Sequence, residues 1–251
     1  MKMKNKAVFF IYIPLIANAL FISFYFSGIE SLQQIIAPSI SFLSGNNWRE
    51  FGLVEQVQNI CLLITIVILI KTFIKKRKQI EKNVFAILAL FFTFVFLEEI
   101  DYGLHFYELF SGANTDLKIR NIHNQHYNDR QIVEYLKQLI DFIMFLWFIL
   151  LPVFITKFKN NILRCIIPLR WFIVGFIIAI LFSRIAHLFE DMGYGIIANV
   201  EGNLAGNISE FRETNTYYFF MLYIWQLSNC NLYKQKRRYK KRYYRRKKKN
   251  K

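Results

Sequence analysis

The sequence predicts an all-α fold, a polytopic transmembrane helix bundle. Of the 251 residues, 55% are hydrophobic and 18% are aromatic, with Phe alone supplying 27, and the mean hydropathy is +0.25. Six stretches are also long and apolar enough to cross about 30 Å of hydrocarbon as helices. A pI near 9.8 would suggest nucleic acid for a soluble protein, but this composition is typical of membrane proteins.

The six predicted spans follow one another along most of the chain. They are Ala7–Ser27, Gly52–Phe73, Val84–Asp101, Leu136–Thr156, Trp171–Leu188 and Thr214–Leu232. Within the first span, Ala17-Asn18-Ala19 resembles a signal-peptidase site, yet the apolar run continues through Phe26. We therefore expect an uncleaved anchor at this position.

The distribution of charge predicts the orientation of the spans. With both termini cytoplasmic, 26 of the 33 Lys and Arg residues fall on the cytoplasmic side, whereas only Glu81 of the 17 acids clearly does so. This asymmetry follows the positive-inside rule. The sequence thus predicts a multi-pass protein of the cytoplasmic (inner) membrane, with residues 1–232 forming a single six-helix domain.

The segment Tyr233–Lys251 is predicted to be a disordered polybasic cytoplasmic tail. It contains 13 Lys and Arg residues, no acid and few apolar residues beyond tyrosine, so it has little to bury. Such a tail is attracted to anionic lipids of the cytoplasmic leaflet. Nucleic acid is the competing partner, but tethering beside the bilayer favours lipid.

The three cysteines, Cys61, Cys165 and Cys230, form no CxxC motif. All three lie in or next to predicted spans, so they are interpreted as small apolar residues without a disulfide framework or a zinc-ribbon spacing. A glycine-rich phosphate loop and an HExxH motif are also missing from the sequence.

Ionisable residues gather at the predicted extracytoplasmic ends of the helices. A charge inside the bilayer costs several kcal/mol unless it is paired or hydrated, so such residues usually mark a pathway or a site. Two acids end the third span, a histidine lies in the next loop, and an Arg/His pair ends the fifth span. These candidate catalytic residues are Glu98, Glu99, His123, Arg184 and His187.

The same region offers candidate ligands for a divalent metal. Asp101 and His105 are four residues apart, the spacing that two ligands on one helix need, and His123 would add a third. Carboxylate and imidazole together suit a hard or borderline metal ion. On one continuous helix, Glu98, Asp101 and His105 would share a face.

Two further rows of polar residues have helical spacing. Charges on helices facing each other would offset one another inside the bundle. The competing interpretation is that charges at helix ends simply extend to the interface, and Glu108 is interpreted in this way. The two rows are Glu55 with Gln58 and Asn59, and Arg184 with His187 and Asp191.

Two short motifs resemble those of an uncharacterised group of bacterial polytopic membrane proteins. Glu98–Gly103 reads E-E-I-D-Y-G and Asn121–Asn124 reads N-I-H-N. The group carries a motif like E-E-[IV]-S-W-G-Q at the end of a span and N-L-H-N in the next loop. The chain departs from that pattern at Asp101, Tyr102 and Leu104. The resemblance implies the same membrane architecture but brings no activity.

Three functions fit these observations. The first is a membrane-embedded enzyme acting on a lipid or lipid-linked substrate at the outer leaflet, with a divalent metal or by direct acid–base chemistry. The second is an ion-coupled transporter, although its polar groups should then lie near the midplane or on both sides. The third is a structural or interaction subunit of an envelope system.

Overall fold

The computed structural model describes residues 6–36, 38, 51–112, 135, 138–139, 142–154, 166–192 and 208–230. Within these residues every regular element is a helix, which confirms the all-α class. We number the main helices in chain order. They are α1 (Val8–Tyr25), α2 (Glu30–Ile36), α3 (Leu53–Lys75), α4 (Gln79–Glu99), α5 (Leu104–Ser111), α6 (Phe142–Phe154), α7 (Trp171–Asp191) and α8 (Ile208–Ser228).

Four of the described helices are long and apolar enough to cross a membrane, namely α1, α3, α4 and α7. They correspond to the first, second, third and fifth predicted spans, as expected of a multi-pass integral membrane protein. Helix α6 covers part of the fourth predicted span, and α8 covers most of the sixth but starts with polar residues. The count of six spans, the cytoplasmic termini and the identity of the membrane stay predictions. The tail Tyr233–Lys251 lies outside the described residues.

Two prolines reshape the helices in which they occur. Pro14 and Pro152 each follow a π-helical turn by two residues. A proline cannot donate to the carbonyl four residues earlier and its ring crowds that carbonyl, so the preceding turn widens. The residues four positions earlier, Phe10 and Phe148, are both 1% exposed and enter the core. The π-helical turns are Val8–Tyr12 and Phe145–Leu150.

An aromatic core joins α1, α6, α7 and α8. The ring of Phe10 contacts Phe172 at 4.7 Å between centroids, and Phe176 lies 5.0 Å from both Phe148 and Phe219. Because lipid tails are as apolar as these rings, close van der Waals packing, not transfer from water, holds the helices together here. Aromatic rings thus fill the place where these four helices meet.

Gly175 on α7 permits a close approach to Phe219 on α8. A Cβ atom at this glycine would lie 2.5 Å from two carbons of the Phe219 ring, far inside van der Waals contact. Small residues at helix interfaces let backbones come close in membrane proteins. This single glycine therefore sets the spacing between α7 and α8.

A second core lies between α3, α4 and α8, built from Leu62, Leu69, Phe85, Phe92 and Ile224. Only 11% of the apolar stretch of α4 is buried against the rest of the protein. A helix that is apolar on all sides and mostly unburied is typical of a membrane span. Its outer face is therefore suited to hydrocarbon.

Lys76 closes the bundle at the end opposite the acids described below. Its Nζ donates to the carbonyl oxygen of Cys230 at 2.7 Å, forms an ion pair with Glu81 at 3.3 Å and lies 5.4 Å from the ring centroid of Phe85. These contacts fasten the α3–α4 connection to the chain that leaves α8.

Cys230, at this same end, is disulfide-bonded, whereas Cys61 within α3 is a free and buried thiol. The prediction that every cysteine serves only as a small apolar residue is therefore wrong for Cys230. Spacing along the sequence carries no information about pairing between distant segments, so the sequence could not reveal this bond.

Candidate functional site

Buried carboxyl groups collect at the end of the bundle where α3 and α8 begin and α4 ends. We call this region the acidic end. Glu55 is 6% exposed, Glu98 8%, Asp101 7% and Glu108 1%. The described acids of this region are Glu55, Glu98, Glu99, Asp101, Glu108, Glu210 and Glu213. Acids are almost never this buried unless they are bonded or functional.

The backbone turns sharply where the two consecutive glutamates end α4. Asp101, Tyr102 and Gly103 have φ angles of 45°, 53° and 87°, so three successive residues are left-handed. Glycine adopts this conformation freely, but for tyrosine it is strained, by about 1–3 kcal/mol. The Tyr102 hydroxyl donates to Oε1 of Glu98, and this bond to a carboxylate raises the pKa of Tyr102. The strained turn thus places a phenol against a buried acid.

This turn corrects one prediction about the third span. The sequence predicted a helix through Asp101, with Glu98, Asp101 and His105 on one face. Instead α4 ends at Glu99 and a new helix starts at Leu104. The i, i+4 helical relation between Asp101 and His105 does not apply, because residues with positive φ separate them.

Glu99 is held by a phenol from α8. The Tyr217 hydroxyl donates to Oε1 of Glu99 at 2.5 Å, joining α8 to α4 across the top of the second core. The carboxyl groups of Glu210, Glu98 and Asp101 lie within electrostatic reach of Glu99. Glu99 therefore has other acids as neighbours.

Glu210 is held by an amide from α3. Nε2 of Gln58 donates to Oε2 of Glu210 at 2.8 Å, and it also lies 3.1 Å from Oγ1 of Thr214. Glu210, Thr214 and Tyr217 are spaced i, i+4 and i+7, which places all three on one face of α8. That face meets α3 through Gln58 and α4 through Glu99.

The partners of these two carboxyl groups are neutral. Within the described part of the chain, Glu99 and Glu210 make no ion pair, and their donors are a phenol and a carboxamide. Neutral donors offset far less charge than a Lys or Arg would. Two carboxylates in a region of low dielectric repel each other strongly when both are ionised.

The structure confirms that the predicted polar row on α3 is a shared, buried face. Glu55, Gln58 and Asn59 are 6%, 0% and 8% exposed, so the three residues share a buried face. Oε1 of Gln58 and Oδ1 of Asn59 are buried acceptors that no hydrogen bond in the described residues satisfies. Such orphaned acceptors are rare and usually indicate water or an ion.

Asn18 and Asn215 form the inner boundary of this polar region. Their amides donate to each other at 2.9 and 2.8 Å, which links α1 to α8. Below them, the hydroxyls of Thr65, Thr72 and Thr93 each donate to a carbonyl of their own helix. The polar layer of the described helices is therefore about 10 Å deep, counted from the first residues of α3 and α8.

The structure places the sequence-predicted residues in two groups. Glu98 and Glu99 lie in the acidic end, whereas Arg184 and His187 occupy exposed positions on α7, which packs against α8, α1 and α6. Helix α7 runs unbroken to Asp191, so the predicted Arg/His/Asp row does share a face, and that face is exposed. Convergence of this row with the acids stays a prediction.

The predicted metal ligands are described only in part. Asp101 is buried at the strained turn, whereas the side chain of His105 and all of His123 lie outside the described residues. Among the side chains that are described, no three His, Cys, Asp or Glu residues gather as a metal-ligand group. The proposed ligand set therefore stays a prediction.

Sequence reasoning missed several residues of the acidic end. Glu108 was interpreted as a solvent-exposed charge at the membrane interface, yet this residue of α5 is 1% exposed. The i, i+7 spacing of Glu210 and Tyr217 could have shown that they share one face of a helix. No pattern in the sequence could have shown that Asn18 and Asn215, 197 residues apart, are partners.

The chain matches no protein-family model, no curated protein and no solved structure. What the acidic end does must therefore follow from its own chemistry.

Proposed function

We propose that this integral membrane protein is an enzyme acting on a lipid or lipid-linked substrate, with Glu99 and Glu210 as its acid–base pair. One observation carries the proposal: the two carboxyl groups lie at the same end of the bundle, and within the described residues each is held by a neutral donor. A purely structural carboxylate in a membrane protein is usually paired with a cation.

Neighbouring carboxyl groups in a region of low dielectric disfavour ionisation of both at once. A pair that holds a single proton offers an acid and a base side by side, which proton-transfer catalysis requires. Tyr217 fixes the orientation of Glu99, and Gln58 fixes that of Glu210.

The depth of the polar layer favours an enzyme over a carrier. A carrier needs polar groups near the bilayer midplane and a route to both sides. In the described helices the polar layer ends at the Asn18–Asn215 bridge, and the threonine hydroxyls beyond it are taken up by their own helices. A site near the helix ends lies instead at the level of lipid head groups.

A divalent metal at Asp101, His105 and His123 remains a separate part of this proposal. Such an ion would act as a Lewis acid or activate a water molecule. Asp101 supplies a hard oxygen donor at the left-handed turn, which is compatible with that role. The acid–base role of Glu99 and Glu210 does not depend on it.

The proposal is tested by lipid mass spectrometry of membranes from cells that express the parent chain, Glu99→Gln or Glu81→Gln. Glu81 is the matched control because it lies on the same helix, at the far end, in an ion pair with Lys76. We expect the amount of one lipid species in membranes with the parent chain or the control to differ from its amount in membranes with Glu99→Gln. Identical lipid profiles for all three, at equal protein levels, would sink the enzyme proposal.

A scaffold role gives a different outcome. If the acidic end serves only to join helices, Glu99→Gln should keep the bond from Tyr217, since an amide oxygen also accepts hydrogen bonds. The variant would then accumulate and assemble like the parent, with no lipid change in either.

A further inference from the structure

The amide of Gln58 contains an oxygen that the described part of the chain leaves without a partner. The side chain is 0% exposed, and its nitrogen is used by Glu210 and Thr214. Its Oε1 is buried and accepts no hydrogen bond. Burying an acceptor unsatisfied costs about 1–3 kcal/mol, so something outside the protein chain is expected to meet it.

The orientation of this amide is determined by its surroundings. When Glu210 is ionised, rotating the amide by 180° would place Oε1 against both Oε2 and the backbone carbonyl oxygen of Glu210, which are acceptors as well. Nε2 must therefore face Glu210, and Oε1 is the atom left over. The two amide atoms are about 2.2 Å apart, from standard bond lengths.

The separation of two oxygens on Gln58 and Glu210 is compatible with one ion bound to both. Oε1 of Gln58 lies within roughly 5 Å of Oε2 of Glu210, given the 2.8 Å hydrogen bond from Nε2. A cation with bonds of about 2.4 Å to oxygen bridges two such atoms. Oδ1 of Asn59, the next residue on α3, is a second unsatisfied buried acceptor at the same depth.

The donor set selects the kind of cation. The two donors, the carboxylate of Glu210 and the amide oxygen of Gln58, are both oxygens, so they suit a hard ion. Sites for Ca²⁺ gather several carboxylates, and Mg²⁺ keeps most of its waters. A single carboxylate with neutral oxygens therefore matches a monovalent metal ion.

We propose that Glu210 and Gln58 bind a sodium ion between α3 and α8, with Asn59 as a further acceptor at its level. The ion satisfies the orphaned oxygen and offsets the charge of Glu210, which no described cation does. It also couples the packing of α3 against α8 to the sodium concentration. This inference goes beyond the enzyme proposal because it concerns binding and not proton transfer, although both proposals use Glu210.

The test uses the full-length protein purified in lipid nanodiscs. Uptake of radioactive sodium is measured by equilibrium dialysis, and the thermal unfolding midpoint is followed in NaCl, KCl or choline chloride at equal ionic strength. We expect saturable uptake of about one ion per chain and a midpoint that rises with sodium but not with choline.

Three variants make the test specific. Gln58→Met and Glu210→Gln should each abolish the uptake, whereas Gln34→Met, which alters an exposed glutamine bonded to Glu30 on α2, should leave it unchanged. Gln58→Glu adds a second carboxylate at the site and should lower the apparent Kd at least tenfold. This gain cannot result from misfolding.

Two results would overturn the sodium site. One is uptake that never saturates in the parent chain. The other is saturable uptake that Gln58→Met, Glu210→Gln and Gln58→Glu all leave unchanged. The enzyme proposal fails separately: if Glu99→Gln and the parent show the same lipid profile while sodium still binds, only the acid–base role is lost.

Discussion

Replacing Asn18 and Asn215 by Leu, singly and together, measures how strongly one polar pair joins α1 to α8. The two buried amides donate to each other's oxygen at 2.9 and 2.8 Å. Each amide nitrogen also donates to a carbonyl of its own helix, from Pro14 or Phe211, at 2.6 Å. Only the two bonds between helices therefore depend on the partner.

The expected magnitude follows from that count of bonds. A polar contact between helices in a membrane contributes about 0.6 kcal/mol on average and rarely more than about 1.7. Two bonds should give a coupling free energy of about 1–2 kcal/mol. Each single Leu variant also leaves one amide oxygen buried without its donor, at a cost of about 1–3 kcal/mol. The double variant should thus be less destabilised than the sum of the two single variants.

The assay is reversible unfolding in mixed micelles, with the free energy of unfolding measured for all four chains. Thr65→Val is the matched control, because that hydroxyl donates only to Cys61 on its own helix. It should change stability by no more than about 0.5 kcal/mol. If the two Leu variants add to within about 0.3 kcal/mol, the pair is uncoupled and the α1–α8 contact is refuted.

Three further predictions concern the backbone, the packing and the tail. Gly103→Ala should destabilise the protein by about 1–2 kcal/mol through its φ of 87° alone, since no atom lies within 4 Å of the added Cβ; a thermal shift of zero would contradict the left-handed turn. Gly175→Ala should lower the free energy of unfolding by about 1–3 kcal/mol through steric overlap. Adding Phe219→Leu should restore part of that stability, and no recovery would show that the overlap is not with Phe219. A synthetic Tyr233–Lys251 peptide should bind vesicles more tightly as the anionic lipid fraction rises and more weakly in high salt; binding that ignores both variables would exclude the electrostatic attraction.

The sequence predicted an all-α membrane protein well. Composition and span length are set by the bilayer and do not depend on which helices contact each other. Apolar runs of about 20 residues located α1, α3, α4 and α7 within a few residues of their observed bounds. Helical periodicity likewise predicted the buried row Glu55, Gln58 and Asn59. Both signals are local, so one sequence suffices to read them.

The turn after Glu99 was beyond such reasoning. Asp101 and Tyr102 are ordinary residues in a helix, and nothing local requires them to adopt positive φ. The turn brings the Tyr102 hydroxyl to Glu98, a bond that a continuous helix through Asp101 does not predict. The same limit applies to Tyr217, whose partner Glu99 is 118 residues away.

The central claim is that Glu99 and Glu210 form the acid–base pair of an enzyme at the acidic end, with Glu99 as the acid. Infrared difference spectroscopy of the purified protein in sodium-free buffer at neutral pH tests this through the C=O band of a protonated carboxyl group. The parent chain and Glu81→Gln should both show this band, and Glu99→Gln should remove it. A parent spectrum with carboxylate bands only, unchanged by Glu99→Gln, would contradict the acid–base pair.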